Sequence, residues 1–271
     1  MFRLIVACAV VLAAPIASAA PAFTAEVTGK GRAVLLIPGL GCPGSVWTQT
    51  AAHLGKTHEV HTLSLAGFAG AKPIDRPIPS AVKDDVIAYI KQHALVKPVI
   101  VGHSMGGFVA LWIAEAAPDL IGPVIVVDSG PTLGGGDPDM VPYAKAKRDA
   151  YKTMTSKMFA ATIRERFSPM FSDPKKREHE AILVAVTKSD QRAYADAFYE
   201  ISTVDLRPQL AKVTAPTLLI LADGKIVKAI REQMKPVKQH EIAVLPTRHF
   251  VMHDDFAGFS KALDRFLTAH P

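Results

Sequence analysis

The residues best suited to chemistry lie in segment 102–106, which reads Gly-His-Ser-Met-Gly. A β-branched apolar run at 99–101 precedes it, and a helix-compatible run at 108–117 follows. A serine on so tight a strand-to-helix turn has a strained backbone, and glycines two residues before and after it avoid Cβ clashes. The spacing therefore predicts an exposed Ser104 hydroxyl that faces the first amides of the helix, as a nucleophile does.

This segment, extended to Gly-His-Ser-Met-Gly-Gly, resembles the nucleophile turn of the α/β-hydrolase family, and the resemblance covers roughly residues 33–267. Family members carry the chain order serine, acid, histidine. Segment 247–252, Thr-Arg-His-Phe-Val-Met, is similar to the family's late Gly-His-Phe-x-Met segment, with Arg248 in place of glycine. The resemblance implies that His249 is the general base. His253 could pair with His249 on a metal, but no third ligand is placed, so no metal or other cofactor is expected.

The acid that orients His249 has two candidates. The family usually carries it as Gly-x-x-Asp after the strand that here covers 217–221, but this chain has Lys225 at that position and Asp223 two residues earlier. Asp128 ends the apolar run that follows the serine helix, and haloalkane dehalogenases place their acid there with similar spacing. Both strand ends border the same histidine loop. Lys225 makes Asp128 the preferred prediction, with Asp223 as the alternative.

The oxyanion of an ester intermediate needs two N–H donors. The resemblance implies the backbone N–H of Met105, the residue after the nucleophile, and one N–H from the loop after the first apolar strand. That loop reads Pro-Gly-Leu-Gly at 38–41, where the family usually has histidine and glycine first. Leu40 is therefore the predicted second donor, and its flanking glycines let the loop approach a substrate closely.

The elements that position these residues are short apolar runs that alternate with helix-compatible stretches. The apolar runs cover 33–37, 59–65, 99–101, 124–127, 217–221 and 241–245. This alternation predicts an α/β fold, a mostly parallel doubly wound sheet of the α/β-hydrolase type with right-handed crossovers. Residues 21–31 are read as a tether or a weak edge strand. Ser80 is predicted to cap a helix over 81–92.

The strand pattern stops between residues 130 and 208. Three amphipathic helical stretches, 143–166, 175–187 and 191–202, take its place. The predicted organisation is a core of residues 20–129 and 209–271 with an inserted helical cap of residues 130–208.

The cap is expected to cover Ser104 and to line the substrate pocket. Its methionines and aromatic residues suit a small to medium, fairly apolar ester, although most of them are expected to form the core of the cap itself. The lysines and arginines of the cap are expected on its outer face. The apolar candidates are Met140, Tyr143, Met154, Met158, Phe159, Phe167, Met170, Phe171 and Phe198.

The first 19 residues differ from the rest. A positive start, an apolar run at 4–14 and Ala-Ser-Ala at 17–19 predict a signal peptide cleaved after Ala19. The apolar run is too short to span a bilayer comfortably, so no stable membrane anchor is expected after cleavage, and the protein is expected to be periplasmic or secreted. Cleavage would remove Cys8 and leave Cys42 without an intramolecular disulfide partner.

The composition is that of a globular protein with a large core, because 49% of the 271 residues are hydrophobic. The formal net charge is +6, but no dense basic run interleaved with aromatic residues occurs, so nucleic-acid binding is not expected.

The resemblance implies a cofactor-free serine hydrolase that cleaves carboxylic esters through an acyl-enzyme, with a small-molecule ester as its partner. Haloperoxidases without a cofactor, C–C hydrolases, lactonases and amidases share the same triad and remain alternatives. A ligand-binding protein with weak turnover on the same scaffold is a further alternative, motivated by the displaced acid.

Overall fold

A computed structural model describes residues 20–271, so the predicted signal peptide lies outside the described residues. The strands of this part of the chain are β1 (Phe23–Gly29), β2 (Arg32–Ile37), β3 (His58–Leu65), β4 (Val99–His103), β5 (Val124–Val127), β6 (Thr217–Ala222) and β7 (His240–Leu245). They form one sheet in the order β1-β3-β2-β4-β5-β6-β7. The first strand pairs antiparallel with β3, and all other neighbours are parallel. The predicted mostly parallel sheet is thus confirmed.

Ten α-helices accompany the sheet within the described chain, with 3₁₀ helices at Gly44–Trp47, Ser168–Met170 and Arg207–Lys212. The α-helices are α1 (Thr48–Leu54), α2 (Ile78–Gln92), α3 (Met105–Ala116), α4 (Met140–Thr153), α5 (Ser156–Phe167), α6 (Arg177–Val186), α7 (Gln191–Thr203), α8 (Ile226–Gln233), α9 (Val251–Asp254) and α10 (Phe256–Ala269).

The central strands are apolar on both faces because helices cover both faces of the sheet. Every residue of β4 and β5 is buried, as expected for parallel strands inside a doubly wound fold. The edge strand β1 is different: it is mostly exposed, and Val27 keeps half of its surface in solvent. The continuous apolar runs of the sequence therefore correspond to the middle of the sheet.

The helix after the first long loop begins earlier than predicted. It starts at Ile78 with Pro79 in its first turn, so Ser80 lies inside α2 and does not cap it. Proline is tolerated there because the first N–H groups of a helix have no partner within the helix.

The order of the strands opens a crevice at their carboxyl ends. The chain moves from β2 outward to β3 and then back across β2 to β4. Right-handed crossovers consequently place α1 and α2 on opposite faces of the sheet. Neighbouring strands whose helices leave on opposite sides form a crevice between their carboxyl ends, which is where α/β folds bind ligands. Here that crevice lies between the ends of β2 and β4.

Helices α4 to α7 occupy the interval between β5 and β6. The stretch 143–166, expected as one helix, is two helices, because the Thr155 hydroxyl caps α5 by accepting from the Met158 N–H at 3.3 Å. Helix α4 packs against α7, and the 3₁₀ helix Arg207–Lys212 packs against α3. The cap boundaries at residues 130 and 208 stay a prediction. In residues 20–271, no helix is both long and apolar enough to cross a membrane.

Candidate active site

Ser104 occupies the turn between β4 and α3 with φ +55° and ψ −122°, a backbone conformation that residues other than glycine rarely adopt. A Cβ at Gly102 would lie 2.0 Å from the carbonyl oxygen of Gly106, and a Cβ at Gly106 would lie 2.2 Å from that of Ile37. Both contacts are with backbone. The turn is held in place by the Ser104 N–H, which donates to the Val127 carbonyl at 2.9 Å. The two glycines are therefore steric requirements of this turn.

His249 lies in the loop after β7 and contacts Asp128 at the end of β5. Its Nδ1–H donates to Oδ2 of Asp128 at 2.6 Å. The other carboxylate oxygen accepts from the Ala222 N–H at 2.9 Å, and the Asp128 N–H donates to the Ile220 carbonyl at 2.9 Å. Asp128 is buried and has φ +45°. Its carboxylate is thus fixed by β6 and directed at the imidazole.

Asp223, the alternative acid, is placed differently. It is exposed, its backbone N–H donates to the Leu245 carbonyl at 2.9 Å, and its carboxylate has no hydrogen bond to any described group. Lys225 beside it is also exposed. The structure therefore brings Asp128, and not Asp223, to His249.

Ser104 and His249 line the same cavity of about 220 Å³ between core and cap. No hydrogen bond joins their side chains within residues 20–271; catalytic hydrogen bonds are commonly long without substrate and tighten when it binds. A wider depression of about 770 Å³ lies along β1, β3 and α1. It is open and contains neither Ser104 nor His249, so the smaller cavity is the candidate active site.

The loop after β2 reaches the same cavity. Its turn is closed by the Cys42 N–H, which donates to the Gly39 carbonyl at 3.1 Å, and Gly41 has φ +71°, which favours glycine. The Leu40 N–H, in the middle of this turn, donates to no group of the described chain, and Leu40 lines the cavity beside Ser104. Met105 is the first residue of α3, so its N–H has no partner within the helix. Within residues 20–271, the N–H groups of both predicted oxyanion donors thus have no hydrogen-bond partner, and both lie next to the serine turn.

His103 contacts the loop after β7 that carries His249. Its ring is buried, lies 4.7 Å from the His249 ring centre, and donates from Nε2 to the His249 carbonyl at 2.9 Å. Burial, reinforced by the nearby His249, lowers the pKa of His103 well below its ordinary value. His103 is consequently a neutral packing residue, and it holds the His249 backbone in place.

The cap closes the cavity with some of the predicted side chains. Phe167, Met170 and Phe198 line it. Phe159 instead packs edge-on against Tyr151 in the core of the cap, at 6.1 Å between ring centres. Among the other candidates, Phe171 stacks on Phe250 at 3.9 Å, Met154 is half-buried, and Tyr143 and Met158 are exposed.

The basic residues of the cap are exposed as expected, apart from the half-buried Arg148, but Arg166 also lines the cavity. Its guanidinium lies over the Phe198 ring, 5.2 Å from the ring centre. Tyr194 and Ile201 of α7 also line the cavity and were missed. The signal was present in the sequence, since positions 194, 198 and 201 share one helical face.

Two further side chains near the site, those of His253 and Cys42, have surroundings that indicate a structural role. The His253 Nε2–H donates to the Val46 carbonyl at 2.8 Å. Cys42 is a free, buried thiol, and burial raises its pKa to about 12. Within the described residues, no three His, Cys, Asp or Glu side chains are grouped as they would be around a metal ion.

Comparisons with known proteins agree with this fold. The profile of the alpha/beta hydrolase family matches residues 34–262. A pimeloyl-(acyl-carrier protein) methyl ester esterase from Aliivibrio salmonicida is 26% identical over 255 residues, which cover 89% of this chain and 94% of that protein.

Among solved structures, a hydrolase from Pseudomonas aeruginosa superposes with a TM-score of 0.81 at 19% identity, over 90% of this chain and 94% of that one. A bromoperoxidase from Bacillus anthracis has a TM-score of 0.79 at 19% identity, over 91% and 95%. A hydrolase and a peroxidase share this architecture, so the structural likeness establishes the fold alone.

Proposed function

The chain belongs to the alpha/beta hydrolase family and is a carboxylesterase-like hydrolase, and we propose that it cleaves small to medium, fairly apolar carboxylic esters through an acyl-enzyme on Ser104. The observation that carries the proposal is the 2.6 Å contact between His249 Nδ1 and Asp128 Oδ2 beside the strained serine. In the neutral imidazole, this contact selects the tautomer with its proton on Nδ1, and Nε2 is then available as a base.

In the proposed reaction, the Ser104 hydroxyl attacks the ester carbonyl while His249 Nε2 takes its proton. The N–H groups of Leu40 and Met105 stabilise the oxyanion. His249 then protonates the leaving alcohol, and the same imidazole activates the water that hydrolyses the acyl-enzyme. Asp128 keeps the imidazole in the required tautomer and stabilises its cationic form.

The size and lining of the cavity support the substrate class. A volume of about 220 Å³ is smaller than most ligand pockets, so a short ester fits best. Phe167, Met170 and Phe198 provide an apolar wall that adapts to different chains. The Aliivibrio relative is named for a methyl ester, which is consistent with a small alcohol group.

We also propose that the protein is exported, to the periplasm or the medium. Besides the signal-peptide pattern, the surroundings of Ala20 support cleavage after Ala19. Ala20 is exposed, its carbonyl accepts from Arg76 Nη2 at 2.9 Å, and the Ala22 N–H donates to Asp85 Oδ2 at 2.7 Å. A chain that begins at Ala20 therefore keeps its first residues bound to the fold. The mass of the exported protein tests this cleavage site.

A fluorophosphonate probe tests the enzymatic proposal, because it labels only an activated serine. We expect labelling of the protein and hydrolysis of p-nitrophenyl butyrate, and loss of both in Ser104→Ala. A folded protein that is neither labelled nor active contradicts the serine mechanism. Ester turnover in the absence of peroxide and halide separates the esterase from the haloperoxidase alternative.

A further inference from the structure

Arg166, in the last turn of α5, is the one lysine, arginine or carboxylate side chain in the described lining of the cavity. It is exposed overall, which places it at the cavity mouth, and it forms no ion pair within residues 20–271. Arg164, two residues earlier, is different: it pairs with Glu180 at 2.6 Å and does not line the cavity. A guanidinium over an aromatic ring with no anionic partner is well placed to receive an anion.

Tyr194 also lines this cavity and carries a second donor that has no described partner. The residue is fully buried, lies one helical turn before Phe198 on α7, and its hydroxyl has no hydrogen-bond partner among the described groups. A buried hydroxyl without a partner costs free energy, which a ligand acceptor would recover. Burial raises the pKa of Tyr194, so the hydroxyl keeps its proton, although the positive charge of Arg166 acts in the opposite direction.

We infer that Arg166 and Tyr194 together bind a carboxylate carried by the ester, so that half-esters of short dicarboxylic acids are preferred over neutral esters of the same acyl length. This inference rests on the proposed function. The planar guanidinium fork and one neutral donor match the two oxygens of a carboxylate. A phosphate group carries more charge and is usually met by several arginines. The cavity of about 220 Å³ restricts the diacid to a short chain.

The experiment compares matched esters of the same acyl length. The monoethyl esters of glutaric and adipic acid carry the free carboxylate, and ethyl pentanoate and ethyl hexanoate lack it. Hydrolysis is followed by titration of the released acid, and the readout is the ratio of kcat/KM for each half-ester to that for its neutral match. We expect a ratio well above one that falls as salt rises, since exposed charges are screened.

Variants show which residues are responsible for the preference for half-esters. Arg166→Gln is expected to lower the ratio about tenfold, as for loss of a charge-assisted hydrogen bond at a partly exposed site, and Arg166→Lys to retain part of it. Tyr194→Phe is expected to lower the ratio about threefold, as for loss of a neutral hydrogen bond. Arg164→Gln is the matched control on the same helix, and its ratio should equal that of the unaltered protein.

The outcomes separate this inference from the proposed function. Turnover of neutral esters with a ratio near one, or a ratio that Arg166→Gln does not change, overturns the carboxylate site and leaves the serine esterase intact. If the protein is neither labelled nor active, the proposed function fails, and calorimetry with glutarate then decides about the site. Glutarate binding that is lost in Arg166→Gln would support the carboxylate site. If glutarate does not bind to the unaltered protein, the carboxylate site is refuted.

Discussion

His249 and Asp128 are 121 positions apart in the chain, and their Nδ1 and Oδ2 atoms are 2.6 Å apart. Both carboxylate oxygens of Asp128 have a hydrogen-bond partner, because Oδ1 accepts from the Ala222 N–H of β6. The backbone of the same residue is held by His103, whose Nε2–H donates to the His249 carbonyl. The ends of β4, β5 and β6 therefore position one histidine, which is the preorganisation that the proposed general base requires.

Asp128→Asn should lower kcat on p-nitrophenyl butyrate by about 10³- to 10⁴-fold. The asparagine amide would face His249 Nδ1 with N–H groups, so the proton would move to Nε2 and the imidazole could not act as a base. Asp223→Asn should stay within about twofold, because that carboxylate is exposed and has no described partner. Thermal unfolding of both variants checks that they fold. Loss of activity in Asp223→Asn alone would show that the acid has been misassigned.

Gly106→Ala should lower the free energy of unfolding by about 3 kcal/mol or more, because the new methyl group would lie 2.2 Å from the Ile37 carbonyl oxygen and the backbone would have to move. Gly224→Ala is the control, since no atom lies within 4 Å of its Cβ position. It should change the free energy by less than about 0.5 kcal/mol. Urea unfolding measures both, and equal effects would contradict the steric explanation of the serine turn.

Cys42 should react with Ellman's reagent only when the chain unfolds. The thiol is 1% exposed, and burial raises its pKa to about 12, so very little thiolate forms near neutral pH. If the chain is cleaved after Ala19 as proposed, Cys42 is its single cysteine, so one thiol should appear in concentrated guanidinium and almost none in buffer. Rapid labelling of the folded protein would show that the loop after β2 opens.

The free energy of unfolding should decrease as the pH falls below about 6.5, the ordinary pKa of histidine. Burial lowers the pKa of His103 and of His253, so the unfolded chain binds protons that the folded chain does not. This stability is therefore complete above the unfolded pKa and is lost progressively toward the lower folded values. Urea unfolding at about pH 7.5 and pH 5.5 measures the difference.

The variant His253→Gln should reduce this acid-induced loss, because it removes one buried imidazole while an amide N–H can still reach the Val46 carbonyl. His93→Gln, at the exposed end of α2, is the control and should leave the loss unchanged. An unchanged loss in His253→Gln would show that His253 does not contribute to the acid sensitivity.

The central sheet is the part of the fold that the sequence predicts best. Buried parallel strands must be apolar on both faces, so β2, β4, β5 and β6 appear as uninterrupted apolar runs. The edge strand β1 lacks such a run because one side of it faces solvent. The break between α4 and α5 was not predicted because the amphipathic pattern of the sequence continues across the break. The helix itself is interrupted by a single threonine cap.

The candidate site was predictable in part. The serine turn has a steric signature, and chain order points to His249. The choice between Asp128 and Asp223 depends on the path of each loop beyond its strand, which composition does not encode. The place of Arg166 in the cavity lining was not predicted for a similar reason: the direction of its side chain depends on how α5 lies against α7, whose Phe198 ring the guanidinium covers.

The exposed tripeptide after β6, Asp223-Gly224-Lys225, gives this protein a practical property. The side chains of Asp223 and Lys225 form no hydrogen bond or ion pair with any described group, although the tripeptide follows a strand whose last N–H holds the Asp128 carboxylate. This tripeptide is thus a natural place to graft a peptide tag or a fluorophore, or to open the chain for circular permutation. A reporter attached there would begin one residue beyond the N–H that binds the Asp128 carboxylate, and it would lie outside the described lining of the cavity.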